Sequence, residues 1–133
     1  MAKPDHSRPV VLDATAILAV LFNEPGSDAI LPLLQHAAVS AVNLAEVHAQ
    51  LLRRGVKADL AWKSLQQLGV EVCLFDAGQA RLAGELATTS RGTPLSLGDR
   101  ACLALALQRK ATVYTTNAAW RKLGLEIEVE TIP

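Results

Sequence analysis

The chain has 133 residues, room for one domain of the usual roughly 100–200 residues. Half of it is hydrophobic, 20% is charged and only 4% is aromatic, which excludes disorder and predicts an aliphatic core, helix-rich because Leu and Ala dominate. Thirteen Lys and Arg balance thirteen Asp and Glu, which excludes nucleic-acid binding through bulk positive charge but leaves a local site open.

Residues 1–8 read as a polar leader and 9–133 as a single domain. Lys3 and Arg8 precede an apolar stretch from Val10 to Phe22, the order found in a secretion signal. Asp13 interrupts that stretch, and Asn23-Glu24-Pro25-Gly26 stands where a small-residue cleavage site would be, so it reads as a strand followed by a helix. No apolar run approaches the roughly 18 residues of a membrane span. Val10 to Leu12 suits a strand buried on both faces, and Ala14 to Phe22 a helix. Ser27 is placed to cap a helix reaching Gln35, in which Pro32 predicts strain or a kink.

Ala38 to Ser40 is a weak strand, followed by a helix from Ala41 to Arg54 with Leu44, Val47, His48, Leu51 and Leu52 along one stripe, closed by Gly55. A second helix runs from Lys57 to Leu68 and ends at Gly69. Val70 to Phe75 is the clearest strand, and Asp76 caps a helix from Ala77 to Ala87. A polar loop from Thr88 to Pro94 precedes a helix over 99–108 that is apolar nearly all round, hence central. Thr112 to Thr115 is a strand, Ala118 to Leu123 a short helix, and Ile127 to Ile132 an edge strand. Cys73 and Cys102 match no metal or redox spacing and read as buried, reduced thiols of a cytoplasmic protein.

Alternating strands and helices predict an α/β fold, a parallel sheet with helices on both faces. Chemistry in such folds gathers at the carboxyl ends of the strands. That points to Asp13, Glu46, Asp99 and Asn117. Each has an ordinary explanation. Asp13 and Asn117 suit helix caps, and Ser96-Leu97-Gly98-Asp99 fits a capping box. Glu46 lies about 200° around its helix from Leu44, on a face shared with Asn43, Gln50 and Arg53 that reads as solvated.

Together they suggest more. If Asp13, Glu46 and Asp99 meet in one crevice, each pair at 4 Å costs roughly 4 kcal/mol at an effective dielectric of 20, and three pairs approach ~12 kcal/mol. Protons or a divalent cation must relieve that. Hard oxygen donors without a nearby Cys or His favour Mg²⁺ or Mn²⁺, a cation suited to phosphodiester hydrolysis.

Four segments are similar to those of a known family. Val10-Val11-Leu12-Asp13-Ala14-Thr15-Ala16-Ile17-Leu18-Ala19, running into Asn23-Glu24-Pro25-Gly26, resembles the opening of PIN-domain ribonucleases, especially VapC-like toxins of toxin–antitoxin pairs. Ser40-Ala41-Val42-Asn43-Leu44-Ala45-Glu46-Val47 resembles their second acidic motif. Leu95 to Ala104, around Asp99, resembles the third, and Tyr114 to Trp120, around Asn117, the fourth. The resemblance spans nearly the whole chain and implies a three-layer α/β/α PIN-like fold with a central parallel sheet. It also implies Mg²⁺- or Mn²⁺-dependent endoribonuclease activity, inhibition by a cognate antitoxin, and a homodimer. Metal-site roles pass to Asp13, Glu46 and Asp99, with Thr15 as an orienting hydroxyl and Ser96 in support. Asn117 departs from the aspartate common in the family, so a second metal is expected to bind weakly if at all.

On this reading Asp13 and Asp99 hold the metal, Glu46 is a further ligand or the base for the attacking water, and Asn117 positions a water or the phosphate. Without the three metal-site acids the rest of the molecule is net positive by three charges. Arg91, Arg100, Arg121 and Lys122 are candidate phosphate contacts, each equally readable as solvated surface charge. Leu51, Leu52, Leu60, Trp62 and Leu65 on two adjacent helices could form a groove for an antitoxin helix, or simply pack the core. Two rivals stand beside the nuclease. One is a PIN-like binding module with a weakened site, for which Asn117 argues. The other is a haloacid dehalogenase-type phosphatase, which normally needs a second aspartate where Thr15 stands and a downstream lysine.

Overall fold

A computed structural model describes residues 8–89 and 92–133. The polar leader through residue 7, and Arg91 within the polar loop, lie outside the described residues.

Five parallel strands form one sheet: β1 (Val10–Leu12), β2 (Ala37–Ser40), β3 (Glu71–Cys73), β4 (Thr112–Thr115) and β5 (Glu128–Thr131), ordered β3-β2-β1-β4-β5. Alternation along the strands divides the core into two layers. Val10, Leu12, Ala37 and Val39 face one side, where they meet α1 (Ala14–Leu21), α2 (Ser27–Ile30), α3 (Ala41–Arg53) and α4 (Ala58–Gln66). Val11, Ala38 and Val113 face the other, against α5 (Ala77–Leu86), α6 (Leu97–Arg109) and the 3₁₀ turn Ala118–Lys122. The fold is the expected three-layer α/β/α arrangement with a central parallel sheet.

Helix α6 is the buried one, with every residue from Ala101 to Ala106 in the core. It begins two residues earlier than expected because the capping box at Ser96 starts the helix at Leu97. Strand β3 is shorter than the apolar run Val70–Phe75 suggested. It pairs on one side only, and its exposed edge leaves Val72 47% and Leu74 81% accessible. Arg109 at the end of α6 holds that edge through two bonds to the Glu71 carboxylate, 2.7 and 2.9 Å.

The expected helix from Ser27 to Gln35 divides at Pro32. Four residues are α-helical, and Leu31–His36 tightens into 3₁₀ turns. Gly26, not Ser27, occupies the N-cap, at φ +92° and packed so closely on Ile132 and Pro133 that a Cβ would collide with both. Of the residues expected to form a partner groove, Leu51 and Leu65 are core, whereas Leu52, Leu60 and Trp62 are exposed. Trp62 and Val72 share a small depression of about 80 Å³ with Leu44. Among the described residues no helix is long and apolar enough to cross a membrane.

Candidate metal centre

The central strand β1 delivers Asp13 to the carboxyl edge of the sheet, where it caps α1 and is 4% exposed. Its Oδ1 accepts from the Ala16 amide (2.8 Å) and the Thr15 hydroxyl (2.6 Å), its Oδ2 from the Thr115 hydroxyl (2.5 Å). Backbone amides orient both hydroxyls. Thr116 N–H donates to Thr15 Oγ1 and Asn117 N–H to Thr115 Oγ1, each at 3.0 Å, which turns the hydroxyl protons toward Asp13. Burial pushes the Asp13 carboxyl above its ordinary value of 3.8, against the pull of the Thr115, Thr15 and Ala16 bonds, and the charge of Asp99 adds to the rise.

Asp99 sits at the third position of α6 in the expected capping box. Ser96 N–H donates to its Oδ2 (2.9 Å), and its own N–H donates to Ser96 Oγ (3.1 Å). Glu46 comes from α3, which packs on α6. Its Oε1 accepts from Asn43 Nδ2 (2.9 Å), and the same amide nitrogen donates to the Gly98 carbonyl at 3.0 Å. The Glu46 carboxylate lies directly against the bare Cα of Gly98, one residue before Asp99. All three carboxylates bear on Cys102, whose thiol is driven well above its ordinary value by burial and then by the charges of Asp13, Asp99 and Glu46. The thiol is therefore inert.

The three acids thus lie around the buried Cys102 thiol, but not as the tight triangle that the repulsion argument assumed. Among the described residues no group of three or more His, Cys, Asp or Glu is gathered closely enough to hold one ion. Each carboxylate instead rests on its own donors, which relieves the repulsion without an ion. The donor set still suits a hard cation. Among the described hydrogen bonds, Glu46 Oε2 and Asp99 Oδ1 have no partner and Asp13 Oδ2 has one. Mg²⁺ usually keeps several waters and takes only one or two carboxylates.

Asn117 caps the 3₁₀ turn after β4, with its Oδ1 accepting from Ala119 N–H at 3.1 Å. The amide oxygen expected to face a metal or its water is engaged there as a cap. Arg100 is not a free phosphate contact. It is half-buried, its Nη1 donates to the Ala83 carbonyl (3.1 Å), and its Nε is buried without a partner. Arg121 and Lys122 are exposed on the turn that Asn117 caps.

Three contributors escaped the sequence reading. Thr115 ends the strand beside β1, a position only the pairing Leu12↔Tyr114 makes relevant to Asp13. Asn43 is 1% exposed, not solvated, because α6 covers that turn of α3. Gly98 reads as an ordinary capping-box residue until Glu46 is seen against it. The signal for Asn43 was its three-residue spacing from Glu46, which puts the two on neighbouring positions of one helix.

The PIN domain family model matches residues 10–125. The chain belongs to the PIN domain family. That assignment displaces the haloacid dehalogenase alternative. No curated protein matches the chain. Among solved structures, a Rickettsia felis VapBC2 complex bound to a promoter DNA fragment is similar at 21% identity and TM-score 0.75, covering 93% of this chain and 98% of that one. A DNA-bound VapBC from Salmonella typhimurium shows 19% identity and TM-score 0.76 over the same shares. Mycobacterium tuberculosis VapC20, described as a toxin cleaving the sarcin–ricin loop, shows 17% identity and TM-score 0.69, covering 90% of this chain and 98% of that one. The fold is that of VapC-type PIN domains.

Proposed function

We propose that the protein is a metal-dependent endoribonuclease, the toxin of a toxin–antitoxin pair. The observation that carries this reading is Asp13: a carboxylate buried at the carboxyl edge of the central strand, fixed by two oriented hydroxyls and near enough to Asp99 to feel its charge. Asp13 and Asp99 would hold Mg²⁺ or Mn²⁺, which polarises the scissile phosphate and lowers the pKa of the attacking water. Thr15 and Thr115 keep Asp13 an acceptor facing the cleft, and Ser96 holds Asp99 at the start of α6. Glu46 is a further ligand or takes the water's proton at Oε2. Asn117 presents Nδ2 to a phosphate oxygen.

The strand of RNA has two approaches. Arg121 and Lys122 lie exposed beyond Asn117, and on the other side a groove of about 480 Å³ runs from Glu46 and Gly98 along α3 to Gln50 and Arg53. Purified protein should cut RNA only with Mg²⁺ or Mn²⁺ added, and cleavage by Asp13→Asn and Asp99→Asn at the wild-type rate would overturn the reading. Charge reversal at Arg121 or Lys122 should flatten the salt dependence of RNA binding.

The partner is a cognate antitoxin, in keeping with the complexes in which VapBC relatives were solved. Exposed Trp62, Leu60 and Leu52 offer it an apolar surface. A homodimer is part of the proposal and is read directly by light scattering. The RNA substrate and the thiols of Cys73 and Cys102, which form no disulfide, accord with the cytoplasm.

A second reading has a specific observation behind it. Asn117 supplies no charge and its amide oxygen is engaged as a cap, which favours a PIN-like binding module with a weakened site. Thermal melting separates the two. MnCl₂ at 100 times its dissociation constant stabilises a metal-binding protein by about 2.7 kcal/mol, and a module without a working site stays unshifted.

A further inference from the structure

Glu46 could swing freely if it lay on a solvated face. It does not, and the reason lies in two residues with no chemistry of their own. We propose that Asn43 and Gly98 are positioning residues that together seat the Glu46 carboxylate in the cleft beside Asp99. The inference rests on the nuclease reading above, in the form in which Glu46 is a ligand of the metal, and deepens it.

The orientation of the Asn43 amide is unambiguous. Its nitrogen faces a carboxylate oxygen and a backbone carbonyl, and both of those atoms only accept, so the NH₂ group must point at them. That orientation leaves Asn43 Oδ1 buried without a partner. An apolar side chain at this 1% exposed position would avoid the orphaned oxygen. The gain from an amide here is placement: one nitrogen ties Glu46 on α3 to the Gly98 carbonyl on α6.

Gly98 completes the seat by having no side chain. A Cβ built there would overlap both Glu46 carboxylate oxygens and the carbon between them. The helix could accept alanine at this position, since Gly98 is not among the residues with positive φ. What alanine would displace is the Glu46 carboxylate. The carboxylate is thereby fixed relative to the backbone that carries Asp99, the very next residue. A single amide and a missing methyl group set the relation between the second and third acids.

The test uses the full chain and reads Mn²⁺ binding from the electron paramagnetic resonance signal of unbound Mn²⁺, with no substrate present. Asn43→Leu and Gly98→Ala should each weaken Mn²⁺ binding roughly 10- to 100-fold, the usual loss when a ligand's supporting partner is removed. The double variant Gly98→Ala/Glu46→Asp should bind more tightly than Gly98→Ala alone, because the shorter acid clears the added methyl. Leu33→Ala, a core truncation outside the cleft, should lower the melting temperature and leave Mn²⁺ affinity unchanged. Single variants that bind Mn²⁺ like wild type, or a double variant no better than Gly98→Ala, would overturn the inference while the nuclease reading stands. Wild-type protein that binds no Mn²⁺ would remove both together.

Discussion

Asp13 and Asp99 each stand at the start of a helix, yet their surroundings are opposite. Asp99 is half-buried and held by Ser96, three residues away, in a box that would form in an isolated helix. Asp13 is buried, and one of its three donors, Thr115, comes from 102 positions along the chain. Burial raises the proton affinity of Asp13. One acid is placed by local sequence and the other by strand pairing, so the two should respond differently to mutation.

The largest difference is expected in catalysis. Asp13→Asn should slow metal-dependent RNA cleavage by more than about 100-fold, beyond the loss seen for supporting residues, as measured by initial rates on a fluorescent RNA. Next comes Thr115→Val, which strips a buried carboxylate oxygen of its donor and should cost about 1–3 kcal/mol in urea unfolding. The same change removes the bond that most strongly lowers the Asp13 pKa, so the acid limb of the pH–rate profile should move to higher pH. Ser96→Ala, on the Asp99 side, should cost only about 1 kcal/mol, the worth of a helix cap. If Ser96→Ala proved the more damaging to stability, the contrast between the two acids would be wrong.

The smallest effect is in pH dependence. A raised folded-state pKa means that the folded protein binds this proton more tightly than the unfolded chain. Stability from Asp13 is therefore full below 3.8 and declines as pH climbs from there through the raised value. In metal-free protein, wild type should lose stability relative to Asp13→Asn across that interval. Equal pH profiles by thermal melting would show that Asp13 is not perturbed.

Legibility followed the range of the interactions. The capping box at Ser96, the cap at Asp13 and the breaks at Gly55 and Gly69 depend on neighbours in sequence, and all appear in the structure. The sheet's parallel character followed from alternation of short apolar runs with helices. Val70–Phe75 misled, because an apolar run gives no sign of whether both its edges will be paired; β3 has one partner and stops at Cys73. Glu46 misled in another way. Helical periodicity put it opposite Leu44, but periodicity does not know that α6 covers that face at Asn43 and leaves Gln50 and Arg53 exposed.

The sequence by itself determined the element order, the caps, the buried character of α6 and four motif positions, since these follow from side-chain periodicity and hydrogen bonds within one turn. Only the tertiary structure decided that Thr115 reaches Asp13, that Asn43 is buried, and that Glu46 rests on Gly98. Those contacts join residues 55 and 102 positions apart in two cases. Their geometry is set by strand register and helix packing, which no local pattern encodes.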